Sequence, residues 1–125
     1  MPAVEFPDVE AMCLAFARTK TTATVGTKVK TPRPSRYARI WRTGGGALNR
    51  VLERVQITLT CGASAGSVEA LAIARDLRGA FLNEYTQMPL VRGVEEVSGP
   101  HYDPDPDTAE SRYSMTFILM VRGKR

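Results

Sequence analysis

The sequence predicts an α+β fold in which two helices pack on one face of a mostly antiparallel sheet. Three observations indicate this fold: a short amphipathic stripe follows residue 8, an Ala- and Leu-rich helical pattern covers residues 68–85, and the remaining patterned segments have strand character. The predicted order of elements is α-β-β-β-α-β-β. At 125 residues the chain is long enough for one core but too short for two, so we expect a single domain over residues 1–125.

The first helix is predicted to begin after Asp8 and to end near residues 18–20. Val9, Met12, Cys13 and Phe16 are spaced i, i+3, i+4 and i+7, which places them on one helical face. Asp8 directly precedes this stripe, and its carboxylate can accept a hydrogen bond from a free backbone N–H at the helix start. The pattern therefore predicts a short amphipathic helix capped by Asp8.

Three strands are predicted between the helices. Residues 21–29 are rich in Thr and Val, and residues 37–42 form a second short strand that the glycines 44–46 are expected to close. We expect these glycines to begin a long, mobile hairpin connection. The third strand, residues 52–61, alternates cleanly, which predicts one buried face made of Val55, Ile57, Leu59 and Cys61.

The second half of the chain predicts one helix and two strands. Ser64 or Ser67 can cap the helix over residues 68–85, and Pro89 stops it. Strands are expected over residues 90–97 and 112–122, with Gly99-Pro100 opening an acidic loop between them. The last strand is apolar on both faces, which favours an interior position in the sheet. The helix residues expected to face the core are Leu71, Ile73, Ala74, Leu77 and Phe81.

Composition narrows the class of protein. Hydrophobic residues make up 43% and charged residues 24% of the chain, as in ordinary globular domains. No apolar run approaches the roughly 20 residues of a membrane helix, and the N-terminus lacks a secretory signal pattern, so no membrane contact is expected. Cys13 and Cys61 are predicted to be buried thiols in a reducing compartment. A net charge of +4 permits contact with nucleic acid without requiring it.

Neither an active site nor a cofactor site is predicted. His101 is the single histidine, it lies between prolines in a predicted loop, and no nucleophile or phosphate-binding motif accompanies it. The alternating aspartates 103, 105 and 107 resemble the start of a calcium loop. However, Thr108 and Ser114 stand where such a loop needs Gly and Glu. We therefore expect a non-enzymatic protein without a metal or cofactor, and an extended, solvated acidic arm at residues 103–107.

The charges form two complementary segments. Residues 30–46 are strongly basic and residues 94–110 are acidic, so one copy could bind the next head to tail. Two other interpretations of the basic segment remain open: a nucleic-acid surface, or an edge hairpin protected by arginines. The candidate interface residues are Arg33, Arg36, Tyr37, Arg39, Trp41 and Arg42 on the basic side, and Glu95, Glu96, Asp103, Asp105 and Asp107 on the acidic side. Strand alternation puts Arg39 on one face with Tyr37 and Trp41, and leaves Arg36 and Arg42 off that face.

Several motifs together resemble a known family. They are F-P-D-V-E before the first helix, P-R-P-S-R-Y-A-R-I-W-R-T-G-G, E-A-L-A-I-A-R-D-L-R in the second helix, V-E-E-V-S-G-P, and P-D-P-D-T followed by R-Y-S-M-T-F. This combination resembles the tail terminator proteins of long-tailed, siphovirus-type bacteriophages, and most of all those of phages that infect actinobacteria. The resemblance spans residues 6–122, and its motifs are structural rather than catalytic.

The resemblance implies a structural role in the virion. Tail terminators form a six-membered ring at the head-proximal end of the tail tube, stop polymerisation of the tube protein, and dock the tail to the head connector or stopper protein. It implies that genomic DNA passes through the lumen without specific binding. It also implies a location at the head–tail junction, and in the host cytoplasm during assembly. Since related tube and connector proteins share the fold, another neck component (a head-completion adaptor or stopper) or a tube-like protein is the alternative. A small nucleic-acid-binding domain is a more remote one.

Overall fold

The computed structural model describes residues 5–124 and has the predicted order of elements. Two helices and a five-stranded, mostly antiparallel sheet make an α+β fold, which confirms the predicted class. A 3-10 helix at Tyr85–Gln87 follows the second α-helix. The elements are α1 Val9–Arg18, β1 Thr24–Gly26, β2 Arg36–Ala47, β3 Leu52–Ala63, α2 Ser67–Asn83, β4 Val91–Tyr102 and β5 Arg112–Arg122.

The strands lie in the order β1-β2-β3-β5-β4. Strand β1 runs parallel to β2, and all other pairs are antiparallel. The central strand β3 pairs along its length with β2 on one side and with β5 on the other, from Leu52↔Arg122 to Gly62↔Arg112. Strand β5 lies inside the sheet, between β3 and β4, as predicted, but one of its faces carries Ser114 and Thr116 and is partly polar.

Both helices pack on the same face of the sheet. Helix α1 lies over β1 and β2, whereas α2 crosses β3, β5 and β4. Phe81 of α2 joins these layers, because its ring stacks on Phe117 of β5 at 5.6 Å and meets Phe16 of α1 edge-on at 5.2 Å. The predicted inward face of β3 is fully buried. In α2 the predicted core residues are buried except Leu71, which is half-buried.

Helix α1 forms as its sequence predicts. Asp8 accepts a hydrogen bond from the Ala11 backbone N–H at 3.1 Å, which satisfies one of the free donors of the first turn. At the other end Arg18 donates to the Val25 carbonyl and ties the helix to β1. Cys13 and Cys61 are both fully buried, and burial raises the pKa of each thiol to about 12, so neither is a reactive thiolate near neutral pH.

The first strand is shorter than predicted. Residues 19–23 continue from the helix through local hydrogen bonds, in which Thr19 and Thr21 take part: Thr19 Oγ1 donates to the Phe16 carbonyl, and Thr21 Oγ1 accepts from the Ala23 N–H. Threonine hydroxyls compete for backbone groups in this way, and the chain becomes extended only at Thr24.

The glycines 44–46 do not form the hairpin connection, and that prediction was wrong. They belong to β2 and keep pairing with β3 beyond a register shift between Arg42 and Gly44. Gly45 has φ +99°, and a Cβ there would lie 2.0 Å from the Arg54 carbonyl oxygen, so the paired conformation needs glycine. The true connection is short, since Asn49 Oδ1 accepts the N–H groups of Val51 and Leu52 and closes the turn.

Two boundaries in the second half also differ from prediction. Gly66, not Ser64 or Ser67, occupies the N-cap of α2, and no side chain caps that helix. Strand β4 continues through Gly99 and Pro100 to Tyr102, because irregularities in its pairing with β5 accommodate them. His101 therefore lies on a strand rather than in a loop, and the acidic loop shrinks to residues 103–111.

Candidate assembly interface

One face of the sheet has no helix packed on it within residues 5–124. The helices cover the face that carries Ile40, Ile57 and Phe117, and strand alternation turns the other side chains away from them. We call this second side the open face. It is formed by Tyr37, Arg39 and Trp41 of β2, by Arg54, Gln56, Thr58 and Thr60 of β3, and by Ser114, Thr116, Ile118 and Met120 of β5.

A row of hydroxyl groups crosses the open face. Thr58 Oγ1 lies 3.1 Å from Thr43 Oγ1 and 3.3 Å from Thr116 Oγ1, so one row joins β2, β3 and β5. Thr60 and Ser114 form a second contact at 3.0 Å, but both are buried, and the Ser114 hydroxyl donates to Asp103. The part of the face around Thr58 is therefore polar, whereas half-buried Ile118 and Met120 make its far end apolar.

The strand alternation predicted for the basic segment is confirmed. The Arg39 guanidinium lies 3.9 Å from the centre of the Trp41 ring, a cation–π contact on the open face, and its Nε donates to the Thr27 carbonyl. Arg36 and Arg42 instead pair with carboxylates away from that face. Arg42 contacts Glu53 at 2.8 Å. Arg36 Nε lies 2.6 Å from Glu69, poorly aligned for a hydrogen bond, and its Nη1 donates to a threonine.

The basic turn and the acidic loop meet within one chain. Arg33 contacts Asp105 at 3.0 Å and Glu110 at 3.3 Å. Arg112 at the start of β5 lies 3.5 Å from Asp103. Much of the complementarity that the sequence offers for contact between copies is thus used inside the chain, because Asp103 and Asp105 already have guanidinium partners.

The acidic loop is compact, so the predicted extended, solvated arm was wrong. Asp105 has 7% of its surface exposed, and its Oδ1 accepts the N–H groups of Asp107 and Thr108. The backbone closes the same turn, with Asp105 N–H donating to the Glu110 carbonyl at 3.0 Å. These backbone hydrogen bonds, followed by Arg33, hold the pKa of Asp105 below its usual value. Asp107 is exposed and has no ion-pair partner among residues 5–124.

Acid is expected to open this loop. A carboxyl whose pKa is lowered by folding stabilises the folded loop above its ordinary pKa of 3.8, and that contribution is lost as the pH falls through the lowered value. In an NMR titration, the amide signal of Thr108 should move at a pH below 3.8, the ordinary aspartate value, because the pKa of Asp105 is lower than that value.

The variant Asp105→Asn provides the control for this titration. It keeps an oxygen acceptor for both amides but carries no charge, so the Thr108 signal should lose the acid response that Asp105 causes. An unchanged titration in this variant would show that another group opens the loop.

Tyr37 fixes the end of the open face next to the loop. Its ring lies directly over Gly62 of β3, and a Cβ on Gly62 would be 2.4 Å from the Tyr37 Cζ atom. The side chain is 2% exposed, and burial, followed by the charge of Glu110, raises the pKa of its hydroxyl. Arg33 lies 5.8 Å from the ring centre on a cation–π contact. Tyr37 thus anchors the ion-pair cluster rather than presenting a free aromatic surface.

The two glutamates of β4 face different surroundings. Glu96 accepts from Arg78 of α2 at 2.5 and 3.1 Å, and these hydrogen bonds hold its pKa below the usual value. Glu95 has 69% of its side chain exposed and lies 3.6 Å from Arg54 across β5. The structure therefore separates Glu95 and Glu96 from the Asp103 and Asp105 cluster.

Sequence reasoning missed the partners that hold these residues. Glu69 and Glu110 are distant in sequence from the arginines that they contact. Glu53 and Arg112 meet their partners across strand connections whose register the sequence did not predict. The hydroxyl contacts did have a signal, because Thr58 and Thr60 in β3 are two positions apart, as are Ser114 and Thr116 in β5. Taken together, those two patterns indicate facing polar rows on neighbouring strands.

Comparison of the chain with models of known protein families and with curated proteins found no match. Across residues 5–124, no group of three or more His, Cys, Asp or Glu side chains is arranged to hold a metal ion. None of the helices in this part of the chain is both long and apolar enough to span a membrane.

Proposed function

We propose that the chain is a structural phage protein, a tail terminator. In this role, copies form a six-membered ring at the head-proximal end of the tail tube, stop polymerisation of the tube protein and dock the tail to the head connector or stopper. The motifs quoted above supply this specific role, including the ring size. The structure supports its more general part, namely a small domain built to bind other copies or other proteins.

The open face is the observation that carries the proposal. A sheet normally buries both apolar faces or leaves one polar face in water. Here the second face is mixed: Trp41, Ile118 and Met120 are half-buried beside the hydroxyl row. A surface that combines aromatic, apolar and arginine side chains has the composition of protein interfaces. In a ring, such a face would meet a different surface on the next copy or on the adjoining ring.

The in-chain ion pairs change how the interface is expected to work. Arg33 and Asp105 are tied to each other, so they shape the loop rather than attract a neighbour across solution. The open-face residues Arg39 and Trp41 keep their exposed edges and remain the best candidates from the basic segment. Among the acidic residues, Glu95 and Asp107 are the most available for a contact between copies.

A head-completion adaptor, a stopper or a tube-like protein would use the same fold and the same kind of face. Tail length separates these roles. An early stop codon in this gene, within the genome that carries it, is expected to give abnormally long tubes without heads in electron micrographs, because polymerisation loses its stop. Tubes of normal length without heads would indicate a joining or stopper protein instead. Intact infectious particles would overturn the assembly proposal.

A pair of variants tests the open face in the same system. Ile118→Glu places a charge on that face and should fail to restore normal tails when supplied to the stop-codon mutant. Ala72→Glu adds the same charge on the exposed side of α2 and should restore them. Circular dichroism must show that both proteins fold. Full rescue by folded Ile118→Glu would exclude the open face as the assembly surface.

A further inference from the structure

The end of the sheet that holds the β2–β3 turn is strongly basic. Leu52 pairs with Arg122, and Val91 pairs with Val121, so the start of β3, the start of β4 and the end of β5 lie side by side. The Gly123 N–H donates to the Val51 carbonyl and fixes the end of β5 beside the turn. We call this region the basic sheet end. Its exposed basic side chains are Arg50, Arg54, Arg92, Arg122 and Lys124, and they outnumber its two exposed glutamates, Glu5 opposite Lys124 and Glu95 on β4.

These basic groups are not neutralised within the part of the chain that the structure describes. Arg50, Arg92, Arg122 and Lys124 have no carboxylate at ion-pair distance there, and Arg54 has only the 3.6 Å contact with the exposed Glu95. The opposite end of the sheet differs, because Arg33 and Arg112 are each bound to acidic loop residues. Arginines without a carboxylate partner therefore gather around the β2–β3 turn, whereas Arg33 and Arg36 of the proline-rich segment are paired with carboxylates.

The chemistry of this surface favours phosphate over protein. Protein interfaces are centred on buried aromatic anchors, and the segments 46–54, 91–95 and 121–124 contain no aromatic residue. Arginine, lysine, asparagine and backbone N–H groups are the usual donors to phosphate oxygens. Asn49 precedes Arg50, and Gly46 pairs with Arg54. Since Gly46 has no side chain, phosphate groups can approach the backbone closely at that position.

We propose that the basic sheet end binds the phosphate backbone of double-stranded DNA without sequence preference. A duplex is favoured over a single strand, because binding of single strands relies on aromatic stacking platforms that this surface lacks. Paired strands and a closed turn fix the backbone positions that carry these basic side chains, so a rigid duplex can lie along them. This inference concerns the single chain and does not depend on ring formation.

Fluorescence anisotropy with a labelled mixed-sequence duplex of about 20 base pairs provides the test. Three to four phosphate contacts predict that affinity falls on the order of 100-fold between about 50 and 200 mM salt, since each contact contributes about −0.9 to the log–log slope. The variant Arg50→Gln/Arg92→Gln/Arg122→Gln should weaken binding at least about tenfold and flatten that slope. All three positions are exposed, so the variant should fold normally.

The matched control removes the same charge elsewhere. Lys28→Gln/Lys30→Gln/Arg75→Gln changes exposed residues near β1 and on α2, none of which has an ion-pair partner among residues 5–124. The proposal expects this variant to bind within about threefold of the original protein. Equal losses in both variants would mean that only total charge matters and would overturn the site. The absence of duplex binding by the original protein at about 50 mM salt would overturn it as well, and would redirect the surface to an acidic protein partner.

Discussion

Replacement of Phe81 by alanine is expected to lower the free energy of unfolding by about 3–5 kcal/mol, a large share of the stability of a small domain. Phe81 is fully buried, and its ring contacts Phe16 of α1 and Phe117 of β5. The truncation therefore removes apolar surface and leaves a cavity where both helices meet the sheet. Urea unfolding followed by circular dichroism measures the loss as a lower midpoint with an unchanged slope.

Val68→Ala serves as the control in the same helix. Val68 is 84% exposed, so its truncation should change the free energy of unfolding by no more than about 0.5 kcal/mol. A small effect at Phe81, comparable with that at Val68, would mean that α2 does not pack on the sheet as described.

Gly62→Ala is expected to destabilise the fold by about 1–3 kcal/mol, although it adds only one methyl group. The new Cβ would lie 2.4 Å from Tyr37, whose ring is held in place by burial and by Arg33. Removing the ring should relieve the clash. The double variant Gly62→Ala/Tyr37→Ala is therefore expected to cost at least about 1 kcal/mol less than the sum of the single variants, as a double-mutant cycle measures.

Gly79→Ala tests the same substitution where space is open. Gly79 lies within α2, and an added Cβ there meets nothing within 4 Å. Since glycine disfavours a helix relative to alanine, this variant should gain about 0.5–1 kcal/mol. The two alanines are thus predicted to act in opposite directions, and a gain or no change at Gly62 would contradict the assigned role of Tyr37.

Features that depend only on residues within one helix or strand could be predicted from the sequence. The stripe from Val9 to Phe16, the buried alternation of β3 and the capping role of Asp8 are all set by local spacing, and the structure confirms each of them. The same locality explains why Arg39 could be placed on the face of Trp41 in advance.

Features that depend on contacts between distant segments could not be predicted from local spacing. The glycines 44–46 suggest a turn in isolation, but β3 supplies the hydrogen bonds that keep them extended. The sequence around Asp105 suggests a solvated carboxylate, but folding places Arg33, from the other half of the chain, in contact with it. The basic sheet end could not be predicted for the same reason. Arg50, Arg92 and Arg122 are far apart in the sequence, and strand pairing places them at the same end of the sheet.

Gly45 has a consequence for how this chain can diverge. The residues of an ion pair such as Arg33–Asp105 can be replaced during evolution, because a change in one partner can be offset by a change in the other. The obstacle at Gly45 is the main-chain carbonyl of Arg54, which no substitution removes. Homologues that retain this hairpin register should therefore keep a glycine in that alignment column, even where the charged segments have become unrecognisable.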